Sequence, residues 1–317
     1  LKETDSRYGW IFAGADSMVS AFDIKNSSIY LHLNDNSKNK TILNATFRID
    51  NYVTKSNLSY RIYNWDTFSY DSYNDIKTSI KDDFFGISLN FIHRINKTDN
   101  LQLNISNGYK TAGINQSPNF SDYRYYETEK AQNIELGYQI SNKNYSININ
   151  SFYIKRINPQ LRVFGQLNML DPTSFDYGTV NGKKGYSRGI DVSIVKRNKT
   201  NTIYNSFSLL DTHLDEFSID PFPNIESAGI INCGGRESAH SPRFKYNIKI
   251  KFDLNDLYDG LEASIESNYI HKFYFDDQNN HLANSRNIIN FNLKYLSKSK
   301  IKYNFWVKNL ADTKYET

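Results

Sequence analysis

In Tyr145-Ser146-Ile147-Asn148-Ile149-Asn150-Ser151-Phe152-Tyr153 the odd positions carry tyrosine and isoleucine with one serine, while Ser146, Asn148 and Asn150 fill the gaps. A period of two belongs to a strand with one apolar face, because successive side chains point to opposite sides of the backbone. The same separation recurs in Tyr246, Ile248, Ile250, Phe252 and Leu254 against Lys245, Asn247, Lys249, Lys251 and Asp253. It returns in Leu261, Ala263, Ile265, Tyr269 and Phe273, in Ile289, Phe291, Leu293 and Tyr295, and in Ile301, Tyr303, Phe305 and Val307. Residues 41–53, 85–95, 101–109, 134–140, 190–194 and 203–209 follow the rule less cleanly. Helical spacing is nowhere sustained.

The links between these segments alternate in length. Short polar turns are predicted at 26–28, 54–57, 96–99, 141–144, 197–200, 255–260 and 297–300. Long links are predicted at 64–82, 110–128, 156–185, 211–239 and 274–285, and only 34–39 is short where a long one is due. Tight turns at one end and long loops at the other are the asymmetry of an outer-membrane barrel. The pattern therefore predicts an all-β, transmembrane antiparallel β-barrel with about fourteen strands. Tyr145 and Tyr153, eight residues apart on one face, are separated by roughly 20 Å along a tilted strand, close to one apolar band. Tyr138, Tyr295 and Tyr303 each stand beside a short turn with the same parity, where an aromatic girdle is expected.

Composition fits that reading. Hydrophobic residues make up 39% of the 317 residues, below the ~45–50% of ordinary globular chains, yet 24 Tyr and 20 Phe bring aromatics to 15%. A disordered chain lacks aromatics, whereas a wall with one apolar and one wet face needs this mixture. No apolar run approaches the ~18 residues of a membrane-spanning helix. A formal charge of +4 without a basic run gives no footprint for nucleic acid. Cys233 is the only cysteine and is expected to lie idle in a loop. The chain begins at Leu1 without a charged and apolar leader, which is read as a fragment.

Several segments resemble TonB-dependent outer-membrane receptors, the plugged transporters of ferric siderophores and similar cargo. Gly108-Tyr109-Lys110 with Ala112-Gly113-Ile114-Asn115 is similar to the end of a mid-barrel strand in that family. Residues 127–139 (ETEKAQNIELGYQ) resemble its acidic strand start, and residues 181–191 (NGKKGYSRGID) its glycine-bearing approach to the next strand. Gly235-Arg236-Glu237-Ser238-Ala239-His240-Ser241-Pro242, Phe273-Tyr274-Phe275-Asp276-Asp277 and Phe305-Trp306-Val307-Lys308-Asn309-Leu310-Ala311-Asp312 complete the set. The resemblance implies a partial 22-stranded barrel in which the Asn-Leu-Ala-Asp element closes the penultimate strand. The plug domain, early strands and last strand would be absent. It also implies a monomer surrounded by outer-membrane lipid, importing a ferric siderophore or similar small ligand. The TonB-ExbB-ExbD complex would energise uptake through the missing plug.

Candidate chemistry lies in the loops, where function concentrates on a rigid scaffold. Tyr123-Arg124-Tyr125-Tyr126 sets three aromatics around a guanidinium, a combination suited to a flat, anionic or catecholate ligand. Arg162, Phe164, Arg236 and His240 are candidates to join it. Packing of loop on loop is the competing account for each. Lys249 and Lys251 share a strand face with Glu262 and Glu266 on the next, which favours cross-strand ion pairing over acid–base catalysis. The six histidines show no ligand spacing, so no protein-built metal centre, resident cofactor or enzymatic triad is expected. Asn158-Pro159-Gln160-Leu161 superficially resembles a haem-receptor motif, but its Phe-Arg-Ala-Pro partner is missing. A passive porin and a barrel-borne surface enzyme or adhesin are the alternatives.

Overall fold

The structure, a computed structural model, describes residues 17–316 apart from 39, 62, 65, 73, 118–119, 121, 168–169, 172–173, 221–228 and 279–280. In chain order, β1 (Ser17–Lys38) and β2 (Thr41–Arg61) lead to a short pair, β3 (Tyr63–Asn64) and β4 (Ser69–Tyr70). β5 (Asn74–Arg94) and β6 (Asp99–Lys110) are followed by β7 (Gly113–Ile114) and β8 (Tyr125–Tyr126). β9 (Glu129–Ser141) and β10 (Tyr145–Ile157) precede the hairpin of β11 (Gln160–Gln166) and β12 (Phe175–Asn181). β13 (Lys184–Arg197) and β14 (Asn201–Leu214) precede β15 (Phe217–Ile219) and β16 (Ile231–Cys233). β17 (Phe244–Asp253), β18 (Leu261–Ile270), the pair β19 (Phe273–Tyr274) and β20 (Leu282–Ala283), β21 (Arg286–Leu296) and β22 (Lys302–Val307) complete the chain.

Twelve of these form one antiparallel sheet in the order β1-β2-β5-β6-β9-β10-β13-β14-β17-β18-β21-β22. The sheet is an unclosed barrel wall with β1 and β22 as its edges. Twelve long strands replace the fourteen expected, because 26–28 and 54–57 are not turns. Asn26 pairs with Tyr52, Ser28 with Asp50, Thr54 with Ile24 and Asn57 with Ala21, all inside β1 and β2. Polar residues there continue the strands beyond the apolar rows, and polarity alone mimicked a turn. The correction also removes the one exception in loop length. Residues 34–38, predicted as a link, belong to β1, and the tight connection from Lys38 to Thr41, of which Asn39 lies outside the described residues, falls at the short-turn end, so short and long links alternate throughout.

Register carries the two-faced pattern from strand to strand. On one face Leu43, Phe91, Leu103, Leu136, Ser151, Ile190, Leu209 and Phe244 are successive cross-strand partners. Ile203, Ile250, Ile265, Phe291 and Val307 form another such row. On the opposite face Asn100, Gln139, Asn148, Ser193, Ser206, Asn247 and Asn268 are successive partners. A slip of one residue would exchange the two faces, so the pairing is strongly specified. Among the described residues no protein layer covers the apolar rows: Ile29 is 79% exposed, Ile49 61% and Phe305 60%. Such a continuous bare apolar surface needs a non-aqueous neighbour. Near the short turns, Tyr295 stacks on Tyr303 at 6.0 Å and meets Tyr258 at 5.2 Å, grouping aromatics where the girdle was expected.

The buried core sits in the long loops. Phe120, Leu161, Val163, Val180, Leu214, Phe217, Ile219, Ile231 and Cys233 form one cluster, with Tyr123 and Leu167 packed against it. Alternation in β11 turns Leu161 and Val163 into this cluster and leaves Arg162 on the other side. Cys233 is therefore buried in β16 opposite Phe217, within the 211–239 connection. Burial pushes its thiol up to about 11.

Candidate functional site

Three loop segments are tied together by side-chain amides that take the place of backbone partners. Asn115 donates through Nδ2 to the carbonyls of Tyr123 (2.6 Å) and Thr179 (2.7 Å), and its Oδ1 accepts the Thr179 N–H at 2.8 Å. Gln160 donates through Nε2 to the carbonyls of Thr111 (2.8 Å) and Glu127 (2.9 Å). Asn181 accepts the Glu127 N–H at 2.6 Å and donates to the Asn158 carbonyl at 3.0 Å. These bonds hold the 111–128 loop against the β11–β12 hairpin. Most buried polar groups in proteins find such a partner, which explains amides here where periodicity shows nothing.

Arg124 belongs to this frame. Its Nη1 donates to the carbonyls of Asn115 (2.8 Å) and Ser117 (2.9 Å), and the residue is 8% exposed. Burial pulls its pKa below the ordinary arginine value. The guanidinium expected to meet a ligand is thus turned inward as a loop brace. Tyr123 packs on the buried cluster, and Tyr126 lies against Gly113, leaving Tyr125 the exposed member at 54%. The expected cage of three aromatics around Arg124 is not assembled.

The other four candidates lie in two cation–aromatic groups. On the exposed side of the β11–β12 hairpin, Arg162 stands 4.7 Å over the Tyr177 ring, and Phe164 contacts Tyr177 (6.0 Å) and Phe175 (6.1 Å). In the next loop Arg236 stands 3.7 Å over Tyr274 and donates to the Asp276 carbonyl at 3.1 Å. His240, held with φ +52°, lies 5.6 Å from Phe273 and 6.1 Å from Phe275, and Phe275 stacks on His281 at 5.1 Å. Segment 276–278 joins the groups: Asp277 Oδ1 accepts the Ala239 N–H at 2.7 Å, and Gln278 Nε2 donates to the Phe164 carbonyl at 2.7 Å. Tyr177, Phe175, Tyr274 and Gln278 join these groups without being candidates from the sequence. For Tyr177 and Phe175 the signal is pairing register, which appears only when β11 is laid beside β12, whereas Tyr274 and Gln278 reach their partners across loops.

The lumen-facing side carries structural chemistry. Lys249 lies 3.9 Å from Glu266 and Lys251 2.5 Å from Glu262, the cross-strand pairs anticipated from sequence. Asp50, 1% exposed, accepts from Arg48 Nε at 2.7 Å and from Ser28, and also from Tyr109, which has the apolar-face parity of β6 but reaches Asp50 and stacks on Phe84 at 4.1 Å beyond the last β5–β6 pair, Ser88 with Ser106. Sequence reading missed this knot because Ser28 had been placed in a turn. Among the described residues, no three His, Cys, Asp or Glu side chains converge as a metal site. Asn158-Pro159-Gln160-Leu161 opens the β11–β12 hairpin, with Leu161 in the buried cluster and Gln160 on loop carbonyls.

The family described as TonB dependent receptor-like, beta-barrel, matches residues 4–310. The chain belongs to that family. Solved TonB-dependent receptor-like folds align over nearly all of it. The ferric yersiniabactin uptake receptor FyuA from Yersinia pestis is 14% identical with a TM-score of 0.75, covering 95% of this chain and 42% of its own. The siderophore receptor PiuA from Acinetobacter baumannii is 14% identical with a TM-score of 0.70, covering 93% and 40%. The copper transporter OprC is 12% identical with a TM-score of 0.71, covering 94% and 43%. No curated protein matches the sequence. At these identities the likeness is one of fold, and the TonB-dependent receptor barrel described above spans less than half of each relative's length.

Proposed function

We propose that this chain is part of the wall of an outer-membrane receptor that binds a scarce ligand and imports it with energy from the TonB-ExbB-ExbD complex. The single observation that carries the reading is the twelve-stranded sheet itself: a bare apolar face, a polar inner face, and loops at one end packed into a separate layer. Family membership makes a TonB-coupled receptor the natural owner of such a wall. Energy coupling belongs to a plug, a further domain supplied by the rest of the receptor in this reading.

The ligand class is read from the loop chemistry. Arg162 with Tyr177 and Phe164, and Arg236 with Tyr274, present cations against aromatic faces, a surface suited to a flat anionic chelate such as a ferric siderophore. His240 and Tyr125 flank these groups as further candidate contacts, while Arg124, Tyr123 and Tyr126 hold the loop. The ferric yersiniabactin uptake receptor FyuA and the siderophore receptor PiuA, whose folds resemble this one, support the same cargo class.

The test is uptake of iron-55 delivered as catecholate, hydroxamate and mixed siderophores by cells carrying or lacking the intact gene. Saturable uptake of one chelate that stops when TonB is deleted supports the reading. Diffusion of unrelated small solutes independent of TonB would support a porin instead, and turnover of a surface substrate without uptake an enzyme.

A further inference from the structure

The apolar face carries a second ordered feature at its long-loop end. Lys130, Ile157 and Lys184 are direct cross-strand partners on β9, β10 and β13. One row nearer the short turns, Lys155 lies between Gln132 and Tyr186, and below that Ile134, Tyr153, Arg188 and Asp211 are partners. These rows share the parity of Leu136, Ser151, Ile190 and Leu209, so the lysines stand on the apolar face, not toward the lumen. Strand spacing sets the Cα atoms of Lys130 and Lys184 about 10 Å apart, with Lys155 about 7 Å below their row.

All three lysines are exposed. Among the described residues, no carboxylate makes an ion pair with any of them. Arg188 is paired to Asp211 at 2.8 Å, and Asp215 is 3.7 Å from His213. The three lysines and Arg188 thus face two carboxylates, Asp211 and Asp215. Tyr186, in the row of Lys155, stacks at 6.3 Å on Tyr153 in the row below. Below them a groove of about 550 Å³ is lined by Tyr153, Arg188, Ile190, Leu209, Asp211 and Arg243. Amphipathic rings between an apolar band and a cation cluster mark the depth where lipid head groups begin. The comparable row on the longer strands, Lys25, Val53 and Lys81, is different. Asp23, Asp75 and Asp83 share its face, and Lys25 is 3.9 Å from Asp23.

We infer that Lys130, Lys155 and Lys184 form a docking site for the phosphates of an outer-leaflet lipid, whose acyl chains lie along Tyr153, Ile190 and Leu209. The inference rests on the outer-membrane reading above, since only there does this face meet lipid. The observation that selects the occupant is uncompensated positive charge on the apolar side of the wall.

The test uses the intact receptor, purified in detergent and incubated with bisphosphorylated lipid A, with its dephosphorylated form, or with inorganic phosphate, then examined by native mass spectrometry. The wild type is expected to retain the bisphosphorylated lipid, and Lys130→Gln/Lys155→Gln/Lys184→Gln to retain it at least about tenfold more weakly. Lys25→Gln/Lys81→Gln should behave as wild type, and free phosphate should leave the lipid in place. Equal retention by the triple variant, no preference for the phosphorylated lipid, or displacement by free phosphate would overturn the site. Membrane fractionation separates the two readings. Protein absent from the outer membrane overturns both, whereas normal localisation and uptake with equal lipid retention overturns this inference alone.

Discussion

Gln278 pairs with the main chain of Phe164 through both ends of its side-chain amide, accepting the Phe164 N–H at 3.2 Å and donating to its carbonyl at 2.7 Å. A side chain 114 residues away thus stands in for a neighbouring strand on β11. It fixes the hairpin that carries Arg162 against the segment that anchors Arg236 and His240.

Gln278→Ala should free that hairpin without loosening the wall. Each bond contributes on the order of 0.5–1.5 kcal/mol. Hydrogen exchange at the Phe164 amide is expected to rise about tenfold or more, with exchange in β9 to β14 unchanged. Ligand uptake should fall severalfold. Gln278→Glu, which accepts but does not donate, should fall between the two.

Asn115→Asp removes the donors to Tyr123 and Thr179 while preserving shape. Leaving buried carbonyls unsatisfied costs roughly 1–3 kcal/mol, so limited proteolysis should cut the 111–128 loop in the variant and spare it in the wild type.

Gly178→Ala tests the loop core. An added Cβ would lie 2.2 Å from the Phe120 ring, whereas at Gly108 it would meet nothing within 4 Å. Displacing Phe120 should cost about 1–3 kcal/mol of loop stability, and Gly108→Ala far less. Burial of tryptophan-free loop segments can be followed by hydrogen exchange in both variants.

Much of the wall was legible because alternation and loop length are local signals that repeat. Tyr145 to Tyr153 and Ile289 to Tyr295 fall in strands as expected. The upper halves of β1 and β2 read as turns because their buried face is itself partly polar, with Thr54 and Ser56 inside and Lys55 and Asn57 outside, so the stretch has the composition of a turn. In the loops the limit was of another kind. The sequence shows that Arg124 has aromatic neighbours, but its direction depends on Asn115 and Ser117 carbonyls placed by long-range amide bonds. Arg162 and Phe164 were found from side-chain chemistry, while Tyr177 needed the hairpin register.

Cys233 gives a pH prediction. Burial first, then Asp277 and Asp276, disfavour the thiolate and push its pKa up from 9.0 to about 11. A raised acid pKa means that the folded state holds the proton longer than the unfolded chain. The resulting stability is fully present below about 9 and is lost as pH rises through about 11. Maleimide labelling at pH 8 should be slow in the folded receptor and rapid after denaturation. Fast labelling of the folded protein would place the thiol in solvent.

Two neighbouring positions on β10 test the wall most directly. With an environment-sensitive fluorophore on Ile149→Cys or Asn148→Cys, the intact receptor in vesicles is probed with a brominated lipid and with aqueous iodide. Position 149 should be quenched by the lipid and spared by iodide, and position 148 the reverse. Iodide reaching both positions alike, or lipid quenching at 148 and not at 149, would contradict a sheet whose two faces meet different solvents.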